Sequence, residues 1–254
     1  MSEHNITVAG GESVRLLTAG KYCERDIVVT AEGGGGGGGD IDALIDGSIT
    51  EIKSNVSWIY AHTFAKRRKL VTAEFPEATS IGEYAFNDCI SLTSISAPKT
   101  TEIGANAFSS AIIRAAVFPL VENVLSNAFR YCIRLETVRL DSLTSLAQNA
   151  FQGCSNLSVA DLGIVQSVNS GTFNNCGSLK SVILRKTSMT TLASSYAFAS
   201  TPIESGTGYI YVPATLVDTY KAATNWSTYA AQFRALEDYT VDGTVTGELD
   251  ESKI

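Results

Sequence analysis

Seven phenylalanines recur along this chain at nearly fixed intervals: Phe64, Phe86, Phe108, Phe129, Phe151, Phe173 and Phe198. The steps between them are 22, 22, 21, 22, 22 and 25 residues. Alanine precedes five of them, as Ala85-Phe86, Ala107-Phe108, Ala128-Phe129, Ala150-Phe151 and Ala197-Phe198. Self-similarity at such a period is the signature of a solenoid. Each repeat is one supersecondary unit that buries its apolar face only by stacking on its neighbours.

Other positions keep the same phase. Five residues before each Phe stands Ile59, Ile81, Ile103, Val124, Leu146 or Val168. Six after it comes Leu70, Leu92, Leu135, Leu157 or Leu179, and eleven after it Phe75, Ala97, Leu140, Leu162 or Leu184. The Phe108 unit is one residue short, and shifting it by one restores the pattern as Ile113, Ala116 and Phe118. The stretch from plus six to plus eleven reads L-x-x-I-x-L, and its last three positions alternate in, out, in, as a short strand does. Parallel strands about 4.8 Å apart turn six or seven such coils into a rod roughly 30 Å long. Gly82 and Gly104 follow the inward isoleucine and are expected to supply a tight turn.

The segment Ile81-Gly-Glu-Tyr-Ala-Phe-Asn-Asp-Cys-Ile-Ser-Leu-Thr-Ser-Ile-Ser-Ala-Pro98 resembles the BspA-type leucine-rich repeat, whose unit reads I-G-x-x-A-F-x-x-C-x-x-L-x-x-I-x-[IL]-P. The resemblance covers residues 56 to 212. It implies a leucine-rich-repeat solenoid with a parallel β-sheet on one face, used for protein–protein or cell-surface attachment without catalysis. Arg67 and Ala111 depart from the pattern, standing where the cysteine belongs.

Composition is that of an ordinary soluble or repeat protein, 44% hydrophobic and 18% charged. No apolar run is long enough to span a bilayer, so membrane insertion is not expected. Met1 to Ile6 lacks a basic start and an apolar core, which reads as synthesis in the cytoplasm without a secretion signal. The sequons at Asn5, Asn55, Asn156 and Asn225 then carry no weight. Net charge is −7, of which −5 lies in residues 237–254, leaving about −2 for the rest. Nucleic-acid binding needs a basic field that this chain lacks. The one basic run, Lys66-Arg67-Arg68-Lys69, is either a docking patch for an anionic partner or the polar outer edge of the first coil.

Domain organisation follows from composition shifts. Residues 1–32 read as a small β module, with strands at Ile6–Val8, Val14–Leu16 and Asp26–Thr30. Its core is too small to stand comfortably alone, so it should dock on another protein or self-associate. Its segment Leu17–Ala31 resembles N-terminal segments of structural proteins from tailed phages and prophages of Gram-positive gut bacteria. Gly33–Gly39 is a glycine tether and lacks the Lys-Ser or Lys-Thr of a phosphate-binding loop. Residues 40–55 form an N-terminal cap, with a short helix over Asp40–Gly47. The solenoid spans 56–212 and closes on Tyr209–Pro213 as its last strand. Helices over Ala214–Ala223 and Trp226–Leu236 form a C-terminal cap (213–236), with Trp226 either packing on the last coil or offering a ligand platform. Residues 237–254 are an acidic tail, a loose strand pair or disordered.

Chemistry is sparse. Four cysteines, Cys89, Cys132, Cys154 and Cys176, stand three residues after a repeat Phe. They read as buried free thiols, since a metal site needs convergence that a column of stacked coils does not provide. Asp141 and Asp161 are either a carboxylate pair or a solvated face. His4 and His62 have no ligand or acid–base partner at motif spacing. No catalytic residue, metal or cofactor is expected. Recognition is the stronger reading, because outward strand positions are released from holding the fold. The candidate binding face is Thr72, Glu74, Ser94, Ser96, Val117, Thr137, Arg139, Val159, Asp161, Ser181 and Ile183. No aromatic stands among them. Two functions fit. One is a virion-associated attachment protein of a phage or prophage, released with the particle. Its module at 1–32 binds a phage structural protein or itself, and its solenoid touches a cell-surface protein or glycan. The other is a bacterial adhesin-like protein or intracellular scaffold without a particle.

Overall fold

The computed structural model describes residues 49–241 and the strand segments His4–Val8, Glu12–Leu16, Val28–Val29 and Thr244–Val245. The glycine run, the helix expected over Asp40–Gly47, Cys23 and most of the acidic tail lie outside the described residues. In the N-terminal module, β1 (His4–Val8) pairs antiparallel with β2 (Glu12–Leu16) and parallel with β3 (Val28–Val29), in the order β2-β1-β3.

Seven coils follow, each giving a three-residue strand and then a two-residue strand. The first three give β4 (Glu51–Lys53) and β5 (Trp58–Ile59), β6 (Thr72–Glu74) and β7 (Ser80–Ile81), then β8 (Ser94–Ser96) and β9 (Glu102–Ile103). The fourth and fifth give β10 (Ala115–Val117) and β11 (Asn123–Val124), then β12 (Thr137–Arg139) and β13 (Ser145–Leu146). The last two give β14 (Val159–Asp161) and β15 (Ser167–Val168), then β16 (Ser181–Ile183) and β17 (Thr191–Leu192). All pairing between coils is parallel. The three-residue strands build one wall and the two-residue strands a second, and the apolar residues of both point into a shared core.

The third side of each coil is the phenylalanine segment, and its backbone follows a rule that the apolar pattern does not reveal. The residues two before and two after the Phe lie in the left-handed region. Before it stand His62, Tyr84, Asn106, Asn127, Asn149 and Gly171; after it stand Lys66, Asp88, Ser110, Tyr131, Gly153, Asn175 and Ser200. This conformation sends successive amides alternately in two directions. Ala85, Asn87 and Cys89 donate back within their own coil, to the carbonyls of Gly82, Tyr84 and Phe86. Tyr84, Phe86 and Asp88 donate to the next coil, to the carbonyls of Ala105, Ala107 and Ser109 at 2.9, 2.7 and 2.9 Å. From Tyr84 to Cys89 no amide is left over, as burial requires. The rings then stack: Phe64, Phe86, Phe108, Phe129, Phe151, Phe173 and Phe198 form one column with centroids 5.1 to 5.6 Å apart.

Gly82 and Gly104 serve a different purpose from the expected turn. Neither has a positive φ. A Cβ on Gly82 would stand 2.6 Å from the Ala61 nitrogen, and one on Gly104 2.6 Å from the Glu83 nitrogen, so these glycines permit close approach of the preceding coil.

The C-terminal cap departs from two expected helices. β18 (Tyr209–Val212) extends the three-residue wall, and a 3-10 turn (Ala214–Leu216) leads into α1 (Val217–Ala222). Trp226–Gln232 is a 3-10 helix, and Phe233–Ala235 is a strand, β19, which pairs parallel with β18. Trp226, Tyr229 and Phe233 mimic the spacing of one helical face. The open edge of β18 instead takes Phe233 into the sheet, opposite Ile210, so β18 is not the last strand. Trp226 is fully buried, its ring 6.0 Å from Phe198 and its indole N–H donating to the Thr190 carbonyl at 2.8 Å. It ends the phenylalanine column and offers no ligand platform. Beyond the cap, β20 (Thr240–Val241) and β21 (Thr244–Val245) pair antiparallel.

Phe129 lies mid-column between two parallel rings. Phe129→Ala is expected to cost about 3–5 kcal/mol, measured by urea denaturation of the full chain, whereas an exposed change such as Asn156→Ala should stay within about 0.5 kcal/mol.

Candidate binding surface on the strand wall

The outward side chains of the three-residue strands form rows along the wall. Glu74, Ser94, Ser96 and Val117 are exposed, and Thr72, Thr137, Arg139, Val159 and Ser181 are half-buried. Asp161 and Ile183 were expected on this free face, but both are fully buried. The cause is the C-terminal segment. Ile183 pairs in register with Tyr211, whose ring lies 4.8 Å from that of the buried Tyr239. The Asp161 carboxylate accepts from the Arg185 guanidinium at 2.7 and 2.8 Å and from the Gly163 amide at 3.2 Å. Asp141 is held by Arg139 at 3.0 Å. Each carboxylate is therefore bound by an arginine, and Asp161 is buried rather than part of a solvated face. The free part of the wall runs from β4 to β14 at its first outward position.

Aromatics do reach the wall, one strand beyond the rows expected to carry it. Tyr209 and Tyr211 occupy the two outward positions of β18, opposite Ser181 and Ile183. The Arg234 guanidinium from β19 lies 4.4 Å from the centre of the Tyr209 ring, in cation–π geometry. The coil period could have located them, because Tyr209-Ile-Tyr-Val-Pro213 repeats the strand ending.

The wall is interrupted once. β4, β6 and β8 form one sheet, β10, β12, β14, β16, β18 and β19 another, and no ladder joins β8 to β10. The break falls at the short coil. Seven residues separate Phe108 from the start of β10, against eight from Phe86 to β8 and from Phe129 to β12. The second wall continues unbroken there, with Glu102 opposite Asn123 and Ile103 opposite Val124. A cleft of about 510 Å³ opens at the break. Thr93, Ser94 and Ile95 line one side, Arg114, Ala115, Val117 and Pro119 the other, and Arg139 and Asp141 the end. Ile95 is only half-buried, while its counterparts Ala73, Ala116, Val138, Ala160 and Val182 are buried.

The cysteines form a ladder without reactive character. Cys89, Cys132, Cys154 and Cys176 are free and buried. Each thiol donates to a phenylalanine carbonyl of the preceding coil, Phe64, Phe108, Phe129 and Phe151, at 3.0 to 3.1 Å. Burial pushes the Cys89 thiol up to about 12 and holds Cys154 and Cys176 well above the ordinary range. In the first coil Arg67 takes this position. It is half-buried, and its Nε finds no partner, while Lys66, Arg68 and Lys69 are exposed. The basic run therefore lies largely exposed on an end coil. Among the described residues no three His, Cys, Asp or Glu side chains gather as metal ligands, and no helix is long and apolar enough to cross a membrane.

Six copies of the BspA type Leucine rich repeat region match the chain, over residues 47–158 and 101–217. The chain belongs to the BspA-type leucine-rich repeat family. Among solved structures, the T. pallidum leucine rich repeat protein aligns with a TM-score of 0.51 at 21% identity, over 60% of this chain and 70% of that one. The leucine rich cell surface protein of Faecalibacterium prausnitzii A2-165 aligns with a TM-score of 0.32 at 18% identity, over 71% and 62%. The pneumococcal vaccine antigen PcpA aligns with a TM-score of 0.46 at 17% identity, over 76% and 41%. At 21% identity the likeness to the T. pallidum protein bears on the fold alone. A search of curated proteins finds no match. The BspA-type motif thus accounts for the phenylalanines, the cysteines and the strands.

The thiols give a pH prediction with a definite sign. Burial favours their neutral form, so the folded chain keeps protons that the unfolded chain releases from about pH 9. Stability is unaffected by these groups below pH 9 and falls as pH rises towards about 12. A Cys23→Ser variant should show no rapid reaction with a thiol reagent at pH 8 when folded and four reactive thiols in denaturant.

Proposed function

We propose that this BspA-type protein is a non-enzymatic recognition protein that binds a cell-surface protein or glycan through its three-residue strand wall. The observation that carries this reading is the release of the wall's outward side chains from packing duty, from Glu74 through Val117, beside a cleft, with the exposed Tyr209 further along the same wall on β18. Stacked coils hold these positions rigidly, so contact orders little that is not ordered already. Purified chain labelled with a fluorophore should bind its target cells saturably. A Ser96→Arg, Thr137→Arg double variant should bind at least about tenfold more weakly with an unchanged melting temperature, and Asn156→Arg on an exposed turn should bind as wild type. Equal loss from both variants, or from neither, would refute the wall as the contact surface.

A finer reading makes the protein part of a phage or prophage particle, released with the virion. Its support is the resemblance of Leu17–Ala31 to N-terminal segments of tailed-phage structural proteins, together with the small sheet at β1–β3. In this reading the module binds a particle protein or itself, and several weak wall contacts sum to avidity. Mass photometry of the full chain and of residues 40–254 should show oligomers only when the module is present. Two monomers would leave the recognition role intact and favour the particle-free adhesin or scaffold.

A further inference from the structure

The break in the wall carries a more specific assignment, which rests on the recognition reading above. We propose that the cleft between β8 and β10 binds an extended acidic peptide segment of the partner, pairing its main chain with the open edge of β8 at Ile95. The peptide's side chains then lie against Val117 and Pro119, and a carboxylate meets Arg114.

The ladder shows what is missing. One residue past each three-residue strand, an amide donates to the next coil: Phe75 to Ser96 at 2.8 Å, Phe118 to Arg139 at 3.1 Å, Leu140 to Asp161 at 3.0 Å, Leu162 to Ile183 at 3.0 Å. The corresponding bond, from Ala97 to the Val117 carbonyl, is not made. At the other end of the strand the equivalent coil-to-coil bonds are 2.8 to 2.9 Å (Thr93 to Val71, Glu136 to Arg114, Ser158 to Glu136), but Arg114 to Thr93 stretches to 3.4 Å. Between these ends no strand pairing joins Ser94–Ser96 to Ala115–Val117. In a parallel ladder alternate residues face alternate neighbours. The register of the intact pairs therefore directs the N–H and C=O of Ile95 towards β10, with which β8 forms no ladder.

Such an edge is a template for another strand. A peptide main chain supplies donors and acceptors in the spacing that the edge presents. A simple anion offers acceptors only, and a sugar would find no aromatic platform among the lining residues. The volume, about 510 Å³, falls within the range of built ligand sites. Charge sets the preference. Arg139 is engaged by Asp141, whereas Arg114 holds Glu136 in a pair more than half exposed on both sides. An exchange of Glu136 for a peptide carboxylate is therefore cheap. The β9–β11 pairing of the second wall and the continuous Phe86–Phe108–Phe129 stack keep the coils together behind the cleft. The edge is open while the rod stays whole.

The test is a displayed library of linear twelve-residue peptides, panned on the full chain. Counter-selection uses a full-chain variant with one asparagine inserted after Ser110, which restores the 22-residue spacing. Enriched synthetic peptides should be rich in Asp or Glu and bind the wild type in the micromolar range. They should bind the insertion variant at least about tenfold more weakly, Arg114→Glu about fivefold more weakly, and lose binding when alternate peptide nitrogens are methylated. Should the insertion variant fail to fold, Arg114→Glu and the methylated peptides decide. Enrichment that the insertion does not diminish, full binding by methylated peptides, or a wild-type dimer that the insertion dissolves would each overturn the proposal, the last in favour of a second copy. A chain that binds cells through Ser96 and Thr137 but captures no peptide overturns this inference alone; one that does neither overturns the recognition reading as well.

Discussion

The molecule depends on one backbone arrangement: in each phenylalanine segment, alternate amides serve their own coil and the next one. That division goes with left-handed residues beside the Phe, and the cost of those conformations is offset by the amides it pairs with carbonyls of the same coil and the next. The ring column follows from it. With the backbones locked at ladder spacing, the rings have one place to go, and they stack face to face down the rod. The thiols at plus three complete the same corner by donating to the carbonyl of the preceding Phe. A packing motif and a hydrogen-bonding motif thus share one residue spacing, which explains why the period survives so much variation elsewhere.

Features repeated once per coil were legible in the sequence. The strands, the inward Ile, Leu and Phe positions and the buried thiols all follow from a period that the chain displays openly. The left-handed positions were missed, although Asn106, Asn127 and Asn149 gave a usable signal two residues before three phenylalanines, since asparagine tolerates that conformation better than most residues. Gly82 and Gly104 misled for a related reason. A glycine marks either unusual dihedrals or a near neighbour, and only coordinates separate the two. Asp161 and Ile183 were misplaced because strand alternation knows nothing of a later segment folding back over the sheet, as Tyr239 does. The cap was misread because Trp226, Tyr229 and Phe233 satisfy a helical period, while the open edge of β18 offered Phe233 something better than another helical turn.

Repeat period and sheet topology depart from regularity at the same place on the wall. The single-residue deletion was visible as the one 21-residue step, but its effect was not. The core absorbs it, since the phenylalanine column and the second wall continue undisturbed. The strand wall does not absorb it, and there the sheet splits. Departure from the repeat falls on the face that the repeat leaves unused for packing, which is where variation costs the fold least and alters contact most.

The amide pattern also gives the stack a direction. Every coil hands donors forward, and the last has no successor, so side chains answer for it: the Tyr196 amide meets the Ser194 hydroxyl at 3.2 Å and the Ser200 amide meets the Glu204 carboxylate at 2.7 Å. The two extremities are therefore chemically unlike, and neither can be exchanged for the other. Growth or shrinkage of such an array is confined to its middle, where whole coils can be duplicated or excised and each new junction reproduces the old one. Length becomes a freely adjustable property, while the specialised termini are inherited unchanged.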